Sequence, residues 1–309
     1  MSKRRLGQTD MEIEPLVFGG NVLGWTLDEP SAFTVLDAYV DAGFTAIDTS
    51  DSYGNGKSEA ILGNWMKARG NRDKVLVFTK VGSDMGQGHK DLSAKWIESE
   101  VDASLKRLQT DRIDLYQSHW PDPNTPQEES LKAFDRLVKA GKVRWIGSSN
   151  QDEALLGEAL AISKRDGLAR YQTIQNLYNL YDRSSFEGPI QDLAVKEQVS
   201  GIGYFSLARG FLAGKYRSVA DADKSPRGGG AVSAYLNDKG KRILAALDAV
   251  AERRNSTVAA VAIAWIAAQP AVGGAIASAT SVEQLKSLTE GARLVLSSDD
   301  VKELTAAGR

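Results

Sequence analysis

Short apolar runs alternate with stretches of helical spacing along almost the whole chain. A small hairpin is predicted over 3–14, where RRL and MEIEP flank the turn formers Gly7 and Asp10. The runs at 16–20, 44–48, 75–80, 112–119, 142–147, 171–175, 201–205 and 272–277 are short and apolar, as buried parallel strands are. Between them apolar positions recur every three to four residues. They predict helices over 31–42, 58–69, 93–108, 126–140, 151–164 and 186–196, over 240–254 and 258–268 before the last strand, and over 282–288 and 298–306 after it. Ser31 and Ser93 are candidate N-caps, and Gly141 is a stop. Only 209–238 breaks the rhythm. It is polar, holds Pro226 and the run Gly228-Gly229-Gly230, and reads as a long functional loop after the seventh strand. Eight strand-then-helix units predict an α/β fold, a (β/α)8 TIM barrel with an N-terminal β-hairpin floor. No linker or low-complexity stretch divides the chain, so residues 1–309 are expected to form a single barrel domain.

The strand ends carry the chemistry, as in barrels generally. The second strand ends in Asp48, the third in Lys80 and the fourth in His119, and Tyr53 lies in the loop after Asp48. A buried strand that finishes in Lys or His needs a partner or a task. Singly, each has an ordinary explanation: a cap for Asp48, a loop aromatic for Tyr53, the first solvated residue for Lys80, a structural imidazole for His119. At matching ends of adjacent strands, about 5 Å apart, the four can converge. A phenol beside an ammonium is expected to have its pKa lowered from about 10. Asp48 would hold Lys80, and His119 would orient a substrate oxygen, which makes a proton donor aimed at a carbonyl. A hydride is still missing, and no side chain supplies one, so a nicotinamide cofactor is implied. Ser149, Asn150 and Gln175 suit its carboxamide, Tyr204 suits stacking on a flat ring, and SLARG from Ser206 suits a pyrophosphate.

Composition narrows the alternatives. The length of 309 residues fits one barrel, and 42% hydrophobic residues support a large core. A net charge of -2, with no basic run among aromatics, argues against nucleic acid or an anionic membrane as partner. No stretch is long and apolar enough to span a bilayer, and no apolar run follows the charged start of the chain, so a cytoplasmic protein is expected. There is no Cys, and His89 and His119 are the only histidines, which argues against a metal site and a metal-dependent hydrolase.

The segments AIDTSDSYGNGKSE, RIDLYQSHWPDPNTPQEESLKAF, LVKAGKVRWIGSSN and SLARGFLAGKY resemble the aldo-keto reductase family, and the likeness runs over most of the chain. It implies the same barrel and a catalytic tetrad of Asp48, Tyr53, Lys80 and His119, with Tyr53 as general acid. Ser149, Asn150 and Gln175 would hold the nicotinamide amide and Tyr204 would stack on it. Gly20, Asn21 and Asp48 would also touch the cofactor, Ser206, Leu207 and Arg209 would strap the pyrophosphate, and Trp25 and Trp120 would line the substrate pocket. After the last strand the family usually reads IPGAR, then Gln and Asn. Here IASATSVEQLKSL puts Ser278 and Thr280 in that segment, with Thr280 in place of the Arg that binds a 2′-phosphate, Gln284 kept, and Leu288 in place of Asn. NADPH is the implied cofactor, with Lys or Arg of the long loop standing in, and NADH is the alternative. The resulting expectation is a reversible NAD(P)H-dependent reductase of small or medium aldehydes and ketones with an open pocket. The competing expectation is a cofactor-holding regulatory protein similar to channel β subunits.

Overall fold

The computed structural model describes residues 3–309. A hairpin of β1 (Arg4–Arg5) and β2 (Glu12–Ile13) precedes eight parallel strands. These are β3 (Leu16–Gly19), β4 (Ala46–Asp48), β5 (Leu76–Val81), β6 (Ile113–Ser118), β7 (Val143–Ser149), β8 (Tyr171–Leu177), β9 (Ser200–Tyr204) and β10 (Val272–Ala277). They pair in chain order and close, with Ala277 of β10 opposite Phe18 of β3. The helices are α1 (Glu29–Asp41), α2 (Lys57–Arg69), α3 (Ala94–Leu108), α4 (Gln127–Lys139), α5 (Glu153–Asp166), α6 (Pro189–Glu197), α7 (Gly228–Tyr235), α8 (Asp238–Arg253), α9 (Val258–Ala267), α10 (Val282–Arg293) and α11 (Ser298–Ala307). The predicted TIM barrel with a hairpin at its base is the fold observed.

Two apolar cores follow from the two faces of each strand. One lies inside the barrel, where Val17, Ala46, Phe78, Leu115, Ile202 and Ile276 meet Leu6, Met11 and Ile13 of the hairpin segment. Fully burying each such side chain stabilises by roughly 1.5–3 kcal/mol, so apolar burial favours the hairpin closing the bottom of the barrel. The other core fills the layer between strands and helices. Side-chain caps fix several helix starts, each worth about 1 kcal/mol. Ser93, Asp152, Thr257, Ser281 and Ser297 each accept from a backbone amide of their helix. For the first helix the cap is Asp28, which accepts from the Ser31 amide at 3.0 Å, and not Ser31 itself.

The segment read as an irregular loop over 209–238 is largely ordered structure. It contains 3-10 stretches at Ala208–Ala213 and Val219–Lys224, then α7. Three consecutive glycines at the start of α7 hid it, because glycine disfavours helix. Packing requires at least the first of them: a Cβ on Gly228 would sit 2.0 Å from the Ala222 carbonyl oxygen. The helix predicted over 282–288 also runs on to Arg293.

Candidate active site

Strand register brings the predicted residues to one end of the barrel. Asp48 lies level with Phe78, Lys80 with Gln117, and Ser149 with Gln175. The period of two turns Phe78 and Lys80 inward from β5 and leaves Thr79 facing α2, where it donates to Glu59 at 2.5 Å. A cleft of about 1040 Å³ opens above these strand ends. Trp25, Tyr53, His119 and Trp120 line it, as do Ser278, Thr280, Gln284 and Leu288. Lys80 is fully buried behind Tyr53 and does not reach the cleft wall. Gly20 is also off the wall. Its carbonyl accepts from Ser58, and a Cβ there would lie 2.8 Å from the Asp48 carbonyl oxygen.

At the centre, the Lys80 ammonium donates to Asp48 Oδ1 at 2.5 Å, to the Thr49 carbonyl at 2.8 Å and to the Tyr53 hydroxyl at 3.2 Å. All three donor positions of the ammonium are used. Burial works against its charge, but Asp48 and then Tyr53 outweigh burial and raise its pKa above the usual lysine value. Tyr53 differs from the sequence expectation. Burial raises the phenol pKa first of all; Lys80 lowers it, Asp48 and Asp51 raise it, and the net shift is upward. The phenol is a firmly protonated donor in the free barrel, and Lys80 moderates a rise that burial dominates.

His119 follows β6, its ring edge-on to Tyr53 at 5.9 Å and stacked on Trp120 at 5.7 Å. Its Nδ1 meets the hydroxyls of Ser83 at 2.9 Å and Ser50 at 3.1 Å. Burial, then Lys80 and Lys90, hold its pKa well below the usual value, so the imidazole is neutral at physiological pH.

The shelf residues are bonded to one another. Ser149 donates to the Gln175 carbonyl at 2.6 Å, and Tyr204 donates to Asn150 Oδ1 at 2.8 Å. Asn150 in turn donates to the His119 carbonyl at 2.9 Å. Gln175 donates to Asp48 Oδ2 at 3.0 Å and to Gln117 at 3.2 Å, and Gln117 donates to the same Asp48 oxygen at 3.3 Å. Gln117 was not anticipated, although it lies two residues before His119 and so shares an inward register with it. Asn21 accepts from Ser278 at 2.7 Å, and Ser206 donates back to the Gly203 carbonyl. Asn150, Phe205 and Arg209, all on the cleft wall, hold φ of 57°, 52° and 58°. Left-handed backbone at non-glycine residues costs of order 1 kcal/mol or more each and concentrates at functional sites.

The segment after β9 adds four cations to the wall: Arg209, Lys215, Lys224 and Arg227. Arg209 was expected by number, and Lys215, Lys224 and Arg227 belong to the long loop whose Lys or Arg were expected to stand in. The Arg227 guanidinium lies 4.9 Å over the Trp25 ring, and its Nη2 is buried without a partner. Asp48 is the one carboxylate on the wall among the described residues, and Lys80 already holds it. Thr280 is engaged with Gln284, whose Oε1 accepts from both its amide and its hydroxyl at 3.1 Å. Three amide- or hydroxyl-bearing side chains, a flat aromatic and an excess of cations suit a dinucleotide with a carboxamide at one end and phosphates in the middle. No grouping of ligating side chains suited to a metal ion occurs among the described residues, and no described helix is long and apolar enough to cross a membrane.

Comparison with known proteins agrees with this geometry. A model of the Aldo/keto reductase family matches residues 15–309. Aldo-keto reductase YhdN of Bacillus subtilis (strain 168) is 36% identical over 301 residues, covering 93% of this chain and 86% of that protein. Protein tas of Escherichia coli (strain K12) is 31% identical over 341 residues, covering 99% and 97%. A probable voltage-gated potassium channel subunit beta of Arabidopsis thaliana is 30% identical over 296 residues, covering 93% and 89%.

Proposed function

The chain belongs to the aldo/keto reductase family, and from that membership we propose that it is an NAD(P)H-dependent reductase of small or medium aldehydes and ketones, running reversibly. The observation that carries the reading is the Lys80 ammonium placed 3.2 Å from the Tyr53 hydroxyl and 2.5 Å from Asp48. A nicotinamide held in the cleft would supply the hydride that the carbonyl carbon takes up. Tyr53 gives its phenolic proton to the carbonyl oxygen. The phenolate left behind lies against Lys80, whose charge Asp48 keeps fixed. His119, neutral and with Nδ1 occupied by serines, directs Nε2 toward the cleft and orients the substrate oxygen. Trp25 and Trp120 form apolar walls for the rest of the substrate.

Ser149, Asn150 and Gln175 would hold the carboxamide, exchanging some of their mutual bonds for it, and Tyr204 would cover the ring. Gly20 and Asn21 would act from the first barrel strand, Gly20 through its place in the backbone. Ser206, Leu207 and Arg209 would receive the pyrophosphate. Lys215 and Arg227, beside a Lys224 already paired with Asp221 at 2.7 Å, exceed what two phosphates demand once Arg209 is counted, which favours NADPH, while the uncharged Thr280, Gln284 and Leu288 keep NADH as the alternative. The ordered segment over 208–235 is the natural strap, and cofactor is expected to slow proteolysis there.

Titration with NADPH and NADH, followed by quenching of tryptophan fluorescence, tests the site directly, because two of the six tryptophans line the cleft. Tight binding of one nucleotide, followed by turnover of aldehydes with it, is the expected result. Binding of neither would overturn the reading. Binding without turnover of any carbonyl would favour a regulatory role, as the likeness to a channel β subunit allows.

A further inference from the structure

Asp51 lies in the loop that carries Tyr53, is fully buried, and has no part in the roles above. Its Oδ1 accepts from the Ser50 hydroxyl at 2.8 Å and the Ser52 amide at 2.6 Å, and its Oδ2 is buried with no partner. The titratable groups whose charge acts on it or on which it acts are Tyr53 on its own loop, Glu59 on α2, Glu100 on α3 and Tyr116 on β6; the Lys80 backbone carbonyl lies at its amide, and His119 is reached through Ser50. Arg107 pairs with both Glu59 and Glu100, so these two carboxylates share one guanidinium and none is left for Asp51. Burial first of all, opposed by the Ser50 bond and reinforced by Glu59 and Glu100, brings the Asp51 carboxyl to about 7.

Ser50 joins this carboxyl to the active site, because its oxygen is also 3.1 Å from His119 Nδ1. A hydroxyl has a single hydrogen, and a neutral imidazole carries its proton on one nitrogen only. We propose that Asp51 is a positioning residue that sets the tautomer of His119 through Ser50. When Asp51 is ionised, it holds the Ser50 hydrogen, and Ser50 turns a lone pair to Nδ1, which favours the proton on Nδ1. When Asp51 is neutral, the Ser50 hydrogen is free to point at Nδ1, as the Ser83 hydroxyl also can, and the imidazole proton resides on Nε2. Nε2 has no protein partner and lies on the side of the cleft. With Asp51 neutral, His119 therefore presents its Nε2–H to a carbonyl oxygen, and with Asp51 ionised it presents an Nε2 lone pair to an alcohol hydroxyl. The two directions of the reaction are sorted by pH at a group outside the Tyr53, Lys80 and Asp48 set. This consequence rests on the reading of His119 as the residue that orients substrate; the tautomer itself does not.

The test is nitrogen NMR on the full chain labelled at histidine, with His89→Gln to assign the other of the two resonance sets. His119 should stay neutral from about pH 5.5 to about pH 8.5, with the proton on Nε2 at the acid end and moving to Nδ1 at the alkaline end. Ser50→Ala keeps the carboxyl but removes the link, and should hold the Nε2–H form throughout. Asp51→Asn should show one tautomer across the range. A wild-type protein with the same tautomer at both ends overturns the proposal, as does a transition that survives in Ser50→Ala. The readout needs no turnover, so failure of the reductase reading and failure of this link are separate results.

Discussion

Asp48→Asn removes one charge from the pair at the heart of the site while keeping its shape. Lys80 and Asp48 are 0% and 1% exposed, and the other partners of the ammonium are a backbone carbonyl and a phenol. Removing one member of a buried pair costs roughly 3–5 kcal/mol, a large share of the ~5–15 kcal/mol that holds a typical protein folded. The sign of the pH dependence separates this cause from simple loss of packing. In the wild type the Lys80 pKa is raised, so its contribution is complete below the unfolded value of about 10.4 and is lost only as pH climbs through the folded value. In the variant, burial has little opposing it, and the folded state releases the lysine proton below about 10.4. The folded chain then binds fewer protons than the unfolded chain, and stability rises with pH. Urea denaturation should show the variant weaker by ~3–5 kcal/mol at about pH 7 and recovering part of that by about pH 9.5. The double variant Asp48→Asn/Lys80→Met buries no charge and should regain much of the loss. A single variant within about 1 kcal/mol of wild type at about pH 7, or a double variant no better than the single, would refute the view that mutual charge holds this pair in a dry barrel.

Three further variants probe separate parts of the site. Tyr53→Phe should lower kcat by about 10²–10⁴-fold, as loss of a general acid does, with NADPH affinity by fluorescence within about twofold; full activity would assign the proton to another group. Thr280→Arg should tighten NADPH relative to NADH by at least about tenfold, since an Arg–phosphate pair is charge-assisted and bidentate; an unchanged ratio would place any 2′-phosphate elsewhere in the cleft. Asp51→Asn should change stability with pH in a defined direction. The folded pKa of about 7 lies above the ordinary 3.8, so the cost of the wild-type carboxyl is absent below about pH 4 and complete above about pH 7. At about 1.4 kcal/mol per pH unit, the difference between variant and wild type should move by roughly 4 kcal/mol in the variant's favour from about pH 4 to about pH 8. The same difference at both pH values would mean that Asp51 titrates in the folded protein as it does in the unfolded chain.

The barrel was legible because its two periods are. Every strand run between 16 and 277 corresponds to an observed strand, and only boundaries moved by a few residues, where hydrogen bonding, which composition does not encode, decides the end. The strand ends were legible for the same reason: once Asp48, Lys80 and His119 close adjacent strands, the pleat alone directs their side chains to one place. What local pattern missed depends on contacts made over long separations. α7 is a glycine-rich helix that exists because Gly228 lets it approach the Ala222 carbonyl, a steric fact invisible in a propensity count.

The Tyr53 phenol shows where chemical reasoning from neighbours stops short. A lysine beside a tyrosine predicts a lowered pKa, and Lys80 does lower it, but the depth of the barrel mouth contributes more in the opposite direction. Depth is a property of the whole fold, and the sequence names neighbours without it. The same depth turns Asp51, an ordinary loop acid by composition, into a carboxyl that titrates near neutrality beside Ser50. The tetrad residues can be read from three strand ends and one loop, whereas the layer that raises the Asp51 carboxyl beside them is assembled from α2 and α3, through Glu59 and Glu100. Substitutions in that supporting layer should therefore alter pH dependence more than nucleotide affinity. Glu100→Gln, which removes one of the charges that raise the Asp51 carboxyl, should shift the His119 tautomer transition to lower pH while leaving the nucleotide titration unchanged. A shift to higher pH would mean that the Glu100 charge does not act on Asp51 in the direction its position requires.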